Sequence, residues 1–208
     1  WAQGALHSCA GSFAHNYDGS IRQFWLERLG ALDPRARVLD VATGNGALPL
    51  LFLNEGGKDL EIHAVDCAAR VPTWVDELPQ ASRQRLHWHA GSYAERLPFE
   101  GAWFDWVTSQ FGIEYASPAA RDELLRVLKP QGQCALVLHH RESRLAQTSR
   151  IELAHLDWLL GEHGLLAATH AVLPYMAKLG SPQGLAEVRA DPLARACRER
   201  FNQSMQQA

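Results

Sequence analysis

Asp40, Gly44, Gly46 and Asp66 are the residues whose types and spacing first suggest chemistry. Residues 38–46 read Val-Leu-Asp-Val-Ala-Thr-Gly-Asn-Gly, an apolar strand running into a glycine turn, and the lone acid Asp66 closes the next apolar strand. Glycine lacks a β-carbon, so the turn lets backbone approach a ligand closely and adopt dihedrals closed to other residues. A carboxylate at the tip of a neighbouring strand can accept two hydrogen bonds from a ribose diol. Together they form the arrangement by which an open parallel sheet holds a nucleoside-bearing cofactor at the carboxyl ends of its strands. The plainer alternative for Asp66 is a solvated acid at a strand end. A dinucleotide fold would want a third glycine at position 49, to seat its helix near a pyrophosphate; Pro49 stands there. That argues against NAD or FAD and for a ligand without phosphates, whose amino-acid end lies over the turn.

Other candidates cluster where later strands should end. Gln110 and Phe111 close one apolar segment, and Glu114 and Tyr115 follow on its loop. These two read either as substrate-facing or as ordinary loop surface. His139 and His140 close another segment at the same edge of the sheet. One of them could serve as general base toward a hydroxyl, because imidazole titrates near neutral pH; otherwise they are a pair of polar strand-end residues. The N-terminal aromatics Phe13, Tyr17, Phe24 and Trp25 could form a flap over the cofactor, with Tyr17 the best single candidate for substrate contact. Helix packing is the competing role for Phe24 and Trp25. His87 and His89 alternate with Trp88, so both should point away from the face that Trp88 packs on. A metal there would need a third ligand that the sequence does not offer, and no metal site is expected.

The elements that must hold these residues in place follow from periodicity. Five apolar segments, Arg37–Val41, Leu60–Val65, Arg85–His89, Asp105–Ser109 and Gln133–His139, read as strands. Asp18 could cap a helix carrying Ile21, Phe24, Trp25 and Leu29 on one face. Helices are expected at Ala47–Asn54, where Pro49 is tolerable in the opening turn, at Pro72–Leu78, and at Pro118–Leu128. The last has Ser117 as N-cap, Leu124, Leu125 and Leu128 on one face, and Lys129-Pro130-Gln131-Gly132 to end it. Alternation at this spacing means right-handed βαβ units. The fold class is therefore α/β, a doubly wound, mainly parallel sheet with helices on both faces. Extra helices are expected at the N-terminus and after strand five. Helical spacing continues through Ile151, Ala154, His155, Trp158 and Leu159 and again over Leu185–Phe201, with no convincing strand after His139. The Trp158 helix could be a substrate lid, or could pack on the sheet or on a second subunit.

Five blocks in order carry a resemblance to the class I S-adenosylmethionine-dependent methyltransferases. Asp40-Val-Ala-Thr-Gly44-Asn-Gly46 is similar to their first motif, with Ala42 in place of the commoner first glycine. Val65-Asp66-Cys67 resembles the second, whose acid binds both ribose hydroxyls. Ala90-Gly-Ser-Tyr-Ala-Glu-Arg-Leu-Pro-Phe99, Phe104–Phe111 and Leu125–Gly132 resemble the later blocks. The resemblance covers residues 35–140. It implies S-adenosylmethionine as cofactor and S-adenosylhomocysteine as product. It also implies that Asp40 braces the turn and helps hold the methionine ammonium, while Ala42, Thr43, Gly44, Asn45 and Gly46 hold the rest of that moiety. Asp66 and Cys67 would take the ribose, Gly91, Ser92 and Tyr93 the adenine, and Gln110 and Phe111 would face the methyl donor. The third block departs from the family, with Ser92 or Tyr93 where the adenine-binding Asp is usual. Ser92 could bond the adenine amine and Tyr93 could stack on the ring, or the site could be loosened.

The implied activity is methyl transfer to a small, partly apolar metabolite, at oxygen; the alternative is a catalytically silent cofactor-binding protein of the same fold. No Asn-Pro-Pro-Tyr or Asp-Pro-Pro-Tyr tetrad is present, which disfavours methylation of DNA bases or glutamine amides. The chain of 208 residues balances 20 basic against 23 acidic residues, a net −3 without a basic stripe, so nucleic-acid binding by broad electrostatics is not expected. No apolar run could span a bilayer, and the four scattered cysteines suit a reducing cytoplasm. The basic residues are nearly all Arg, which hints at a bacterial source. A homodimer is left open. One domain is expected over 1–208: an N-terminal flap (1–34), a cofactor-binding core (35–140) and a helical extension (141–208). The chain opens at Trp1 rather than Met, and the family's usual hairpin of strands six and seven is missing after residue 140, so a truncated chain is preferred over a shortened sheet.

Overall fold

In the computed structural model, which describes residue 6 and residues 15–207, the chain divides into two compact units. The first runs through His139 and the second from His140 onward.

The first unit is built on β1 (Arg37–Val41), β2 (Glu61–Asp66), β3 (Leu86–Ala90), β4 (Phe104–Gln110) and β5 (Leu128–Val137), all parallel, in the order β3-β2-β1-β4-β5. The order reverses at β1, which has β2 on one side and β4 on the other. A crevice opens there at the carboxyl ends, and those ends belong to Val41, Asp66 and Gln110. β1, β2 and β4 are buried along nearly their whole length because both faces of the sheet are covered. On one face α1 (Gly19–Gly30) and α2 (Ala47–Glu55) pack Trp25, Leu48, Leu51 and Phe52 onto Val38, Ile62 and Trp106. On the other, α4 (Pro118–Val127) packs Leu124 and Val127 onto Leu39, Val41 and Val107, with Leu97, Phe99, Trp103 and Phe104 completing the layer.

Several boundaries differ from the sequence reading for local reasons. The segment Pro72–Leu78 holds only a 3-10 turn at Thr73–Val75, followed by a short α3 at Gln80–Arg83. Pro79 lacks the N–H a through-going helix needs there. α4 ends at Val127, and its buried face is Ala120, Leu124 and Val127; Leu125 is exposed. Lys129-Pro130-Gln131-Gly132 does not separate helix from strand. β5 begins at Leu128 and crosses those residues through a shift in its pairing with β4, with Gln131 at φ +68°. Ser117 and Asp18 occupy N-cap positions, as the sequence suggests, but neither side chain closes a cap hydrogen bond.

The second unit is helical: α5 (Arg144–Leu160), α6 (Leu165–Met176), α7 (Pro182–Ala190) and α8 (Pro192–Gln207). Ser143 caps α5 by accepting from the Ala146 N–H. Leu185–Phe201 is not one helix, because Asp191-Pro192 breaks it into α7 and α8. α6 packs against α8, burying Ala168, Val172 and Ala194, whereas α5 buries none of its residues and leaves Ile151, Leu153 and Leu160 exposed. No strand follows Val137 among the described residues.

Candidate cofactor and acceptor site

The turn after β1 folds in an unusual way for its sequence. Ala42 lies at φ +56°, left-handed backbone that costs an L side chain on the order of 1 kcal/mol. Gly44 (φ +59°) and Gly46 (φ +81°) continue the curl. The chain accommodates Ala42 by placing Gly112 opposite it, since a β-carbon on Gly112 would come within 2.5 Å of the Ala42 β-carbon. Gly46 answers to a different constraint: a β-carbon there would strike the rings of Trp74 and Trp88. The Trp74 indole N–H also donates to the Asn45 carbonyl (2.8 Å), so the two tryptophans clamp the turn from one side.

Asp66 holds the other side. Its Oδ2 accepts from the Gly44 N–H (2.7 Å) and its Oδ1 from the Ala68 N–H (2.9 Å). The carboxylate is 5% exposed and ties the β1 turn to the β2 turn. Each oxygen keeps a second lone pair, so the same group can still take up a pair of hydroxyls. Cys67 beside it is exposed. Gly91 (φ +69°) donates its N–H to the Ala68 carbonyl, Ser92 donates its N–H to the Asp66 carbonyl, and a β-carbon on Gly91 would meet nothing within 4 Å. The turn after β3 therefore borders open space, with the Tyr93 ring 63% exposed beside it.

Asp40 is 2% exposed, and the Thr108 hydroxyl donates to its Oδ1 (2.8 Å). Burial pushes its carboxyl up to about 7; the Thr43 and Thr108 hydroxyls pull against this, and the Asp66 charge adds to it. A buried acid poised near neutrality at the switch point of the sheet is a candidate for ligand contact. Tyr17 is buried above this end of the sheet. Its phenol is raised beyond its ordinary range by burial and then by Asp40, while Gln110 works the other way. The buried Trp25 indole N–H donates to Gln110 Oε1, and the Asn16 side chain donates to the Ala47 carbonyl (2.8 Å). The segment before α1 is thereby tied to the start of α2, and α1 itself to the end of β4. Phe24 and Trp25 are packing residues, as their spacing allowed, and Phe13 lies outside the described residues.

A second constellation follows β4. Phe111 has φ +55° and its ring stacks on His139 (centroids 4.3 Å apart, planes at 23°). Glu114 Oε1 lies 2.9 Å from His139 Nδ1 and also accepts the His139 backbone N–H (3.1 Å). The Tyr115 hydroxyl sits 3.2 Å from the same Nδ1. With Nδ1–H given to the carboxylate, Nε2 is the nitrogen that can accept a proton. Glu114 Oε2 is buried and has no hydrogen-bond partner among the described residues. His140 belongs to the second unit and its Nδ1 accepts the Glu142 N–H (3.3 Å). The structure thus brings Glu114, Tyr115, Phe111 and His139 together and does not add His140 to them. The expectation that His87 and His89 lack further ligating neighbours also needs correcting: His63 and Glu61 lie on the same face of the sheet.

These features suit a cofactor with an ammonium, a ribose and a base: a buried carboxyl at Asp40, a paired carboxylate at Asp66, and an open turn at Gly91. Residues 38–132 match the family model for a methyltransferase domain. That segment carries the methyltransferase domain of the class I S-adenosylmethionine-dependent family. Among curated relatives, a 2-phytyl-1,4-naphthoquinone methyltransferase of Trichormus variabilis is 30% identical over 52% of this chain and 48% of its own. A demethylmenaquinone methyltransferase of Beutenbergia cavernae is 36% identical over 54% and 44%. A ubiquinone/menaquinone biosynthesis C-methyltransferase of Proteus mirabilis is 31% identical over 65% and 55%. The chain thus spans about half the length of the curated relatives it matches. A solved Bacillus subtilis protein superposes with a TM-score of 0.51 at 25% identity, covering 65% of this chain and 57% of that one. A phosphoethanolamine N-methyltransferase of Haemonchus contortus, solved with S-adenosylmethionine, shares the fold with a TM-score of 0.51 at 21% identity over 68% and 34%. No helix among the described residues is long and apolar enough to cross a membrane.

Proposed function

We propose that the protein transfers a methyl group to a small, partly apolar molecule carrying a phenolic or related acidic hydroxyl, with His139 as the general base. The observation that carries this is the Glu114–His139 pair after β4 and β5, within the unit that also holds Asp40 and Asp66. S-adenosylmethionine supplies an electrophilic methyl on a sulfonium. The chain's own work is to bind, orient and deprotonate. Asp40 faces the ammonium end, and Asp66 takes the ribose hydroxyls with its remaining lone pairs. Gly91, Ser92 and Tyr93 border the base, and Gln110 and Phe111 stand between the two halves of the site.

Glu114 holds His139 with Nδ1–H directed at the carboxylate, so that Nε2 can take the acceptor's hydroxyl proton and the carboxylate can steady the imidazolium that forms. Tyr115, 76% exposed, and the Phe111 ring give an aromatic flank suited to a flat acceptor. A deprotonated phenol is nucleophilic at oxygen and at the adjacent ring carbon. Oxygen is the acceptor atom expected from the sequence, and carbon is the atom named for one of the relatives, so the same base serves either outcome.

Calorimetric titration with S-adenosylhomocysteine, followed by methyl-transfer assays on a panel of phenols and hydroquinones, tests the proposal. Binding and turnover are expected, with His139→Ala lowering kcat by about 10²- to 10⁴-fold while leaving cofactor affinity unchanged. Cofactor binding without turnover on any hydroxylated acceptor, or full turnover in His139→Ala, would overturn it.

A further inference from the structure

The face of β2 and β3 turned toward Phe99 and Trp103 carries four side chains that the methyltransferase chemistry does not use. Glu61 and His63 alternate along β2, and His87 and His89 along β3, with His63 paired to His87 in the register. Glu61 Oε1 lies 3.0 Å from His63 Nε2 and 3.7 Å from His87 Nε2, and the three donor atoms lie within 4.8 Å of one another. His89 Nε2 stands 3.0 Å from His63 Nδ1. Arg37 holds the second Glu61 oxygen through its Nε at 2.9 Å.

We infer that Glu61, His63 and His87 form a binding site for a zinc-class divalent cation. The argument is one of donor set, spacing and support. Two imidazoles and one carboxylate are ligands that zinc favours, and a fourth position falls to water where three protein ligands are supplied. Ligand atoms 2.0–2.1 Å from a tetrahedral ion stand about 3.3 Å from one another. The 3.0 and 3.7 Å separations about Glu61 Oε1 bracket that figure, and the two imidazole nitrogens, within 4.8 Å of each other, must draw together for both to ligate one ion. Entry is open from solvent, because the His87 side chain is 44% and the Glu61 side chain 35% exposed.

The surrounding groups are also in place. A ligating imidazole ordinarily gives its other N–H to an acceptor, which fixes its orientation, and His63 Nδ1 already faces His89 Nε2. Arg37 anchors the carboxylate oxygen that a cation does not need. Without an ion, a carboxylate can only accept, so His63 donates from Nε2 to Glu61, and His63 Nδ1 accepts from His89 Nε2. With an ion on Nε2, the direction reverses: His63 donates from Nδ1, and His89 accepts. Both rings exchange one tautomer for the other, and no proton is released.

The site is distinct from the cofactor site. His63 precedes Asp66 by three residues, about 10 Å along the strand. An ion there would fasten the edge strand β3 to β2, directly beneath the Gly91 turn.

Titration of the chelator-treated full chain with zinc, and with cobalt as a spectroscopic probe, tests the inference. One equivalent of zinc should bind at micromolar concentration or tighter, and cobalt should give the intense visible bands of a tetrahedral centre. His87→Ala, a change at an exposed side chain, and Glu61→Gln should each weaken binding at least tenfold, and His89→Ala should weaken it about 10- to 100-fold as a supporting group. His155→Ala, in the second unit, should leave it unchanged. Failure of the wild type to bind zinc, a stoichiometry other than one, or undiminished binding in His87→Ala would overturn the assignment. Circular dichroism of each variant separates lost ligation from lost fold.

Discussion

The most searching test of the site is Asp40→Asn, measured for stability as a function of pH. Asp40 is an acid whose carboxyl is raised from 3.8 to about 7 in the folded chain, burial being the largest cause. A raised folded value means that the group's contribution is fully present below about pH 3.8 and is lost as pH rises through 7, because the unfolded chain ionises first. At about 1.4 kcal/mol per pH unit, the span from 3.8 to about 7 corresponds to at most about 4 kcal/mol. Asn keeps an oxygen to accept the Thr108 hydroxyl and carries no charge at any pH. The stability of the variant relative to wild type should therefore climb steadily between about pH 4 and pH 7 and level off above. His63, lowered to about 4 mainly by its own burial, contributes the opposite slope below its unfolded value of 6.5, but it does so in both proteins and cancels in the difference. Urea denaturation in chelator-containing buffers at half-unit steps reads the effect. A difference flat to within about 1 kcal/mol over that range would refute the account of Asp40 as a buried acid held neutral against its preference. The functional corollary runs the other way: above pH 7 the more stable variant should bind S-adenosylhomocysteine more weakly, since the carboxylate that costs stability is the one proposed to face the cofactor's ammonium.

Asp66→Ala removes the acceptor of the Gly44 and Ala68 N–H groups together with the expected ribose contact. With hydrogen bonds to a charged group worth about 1.5–3 kcal/mol each, calorimetry should show S-adenosylhomocysteine affinity falling at least about 100-fold; a loss under tenfold would remove Asp66 from the ribose role. Gly112→Ala should destabilise the fold by about 1–3 kcal/mol through its collision with Ala42, whereas Ala42→Gly should relieve left-handed strain and stabilise by up to about 1 kcal/mol. Thermal unfolding checks both, and in the double variant the Gly112→Ala penalty should shrink; equal penalties in the two backgrounds would show that the residues do not compensate each other.

What could be read from the sequence follows the range of the interactions involved. β1 to β5 are legible because each is a short apolar run that a two-sided parallel sheet must bury. The meeting of Asp66 with the Gly44 turn is legible because neighbouring parallel strands end side by side at one edge of the sheet. The start of β5 was not: Lys129-Pro130-Gln131-Gly132 has turn composition, and only pairing to β4 across a register shift makes it strand. The split between α7 and α8 could have been read from Asp191-Pro192, a signal that the apolar spacing of Leu185–Phe201 obscured.

The histidines separate these cases most sharply. His139 and His140 look equivalent in sequence, and what distinguishes them is Glu114, a residue on another loop whose carboxylate grips one ring and not the other. His87 and His89 read as an orphan pair because the missing partners, Glu61 and His63, sit on a strand whose composition is otherwise apolar and whose register no local pattern reveals. A period-two alternation on β2, with Glu61 and His63 interrupting Ile62 and Ala64, was the one available sign. It says that this face of β2 is not a plain core face, and a fully buried strand has no reason to carry His63 at 4% exposure unless neighbouring polar groups engage both ring nitrogens. A hydrogen-bonded row and a cation site demand the same four residues, so the stoichiometry of zinc binding, and not the geometry alone, decides what keeps them there.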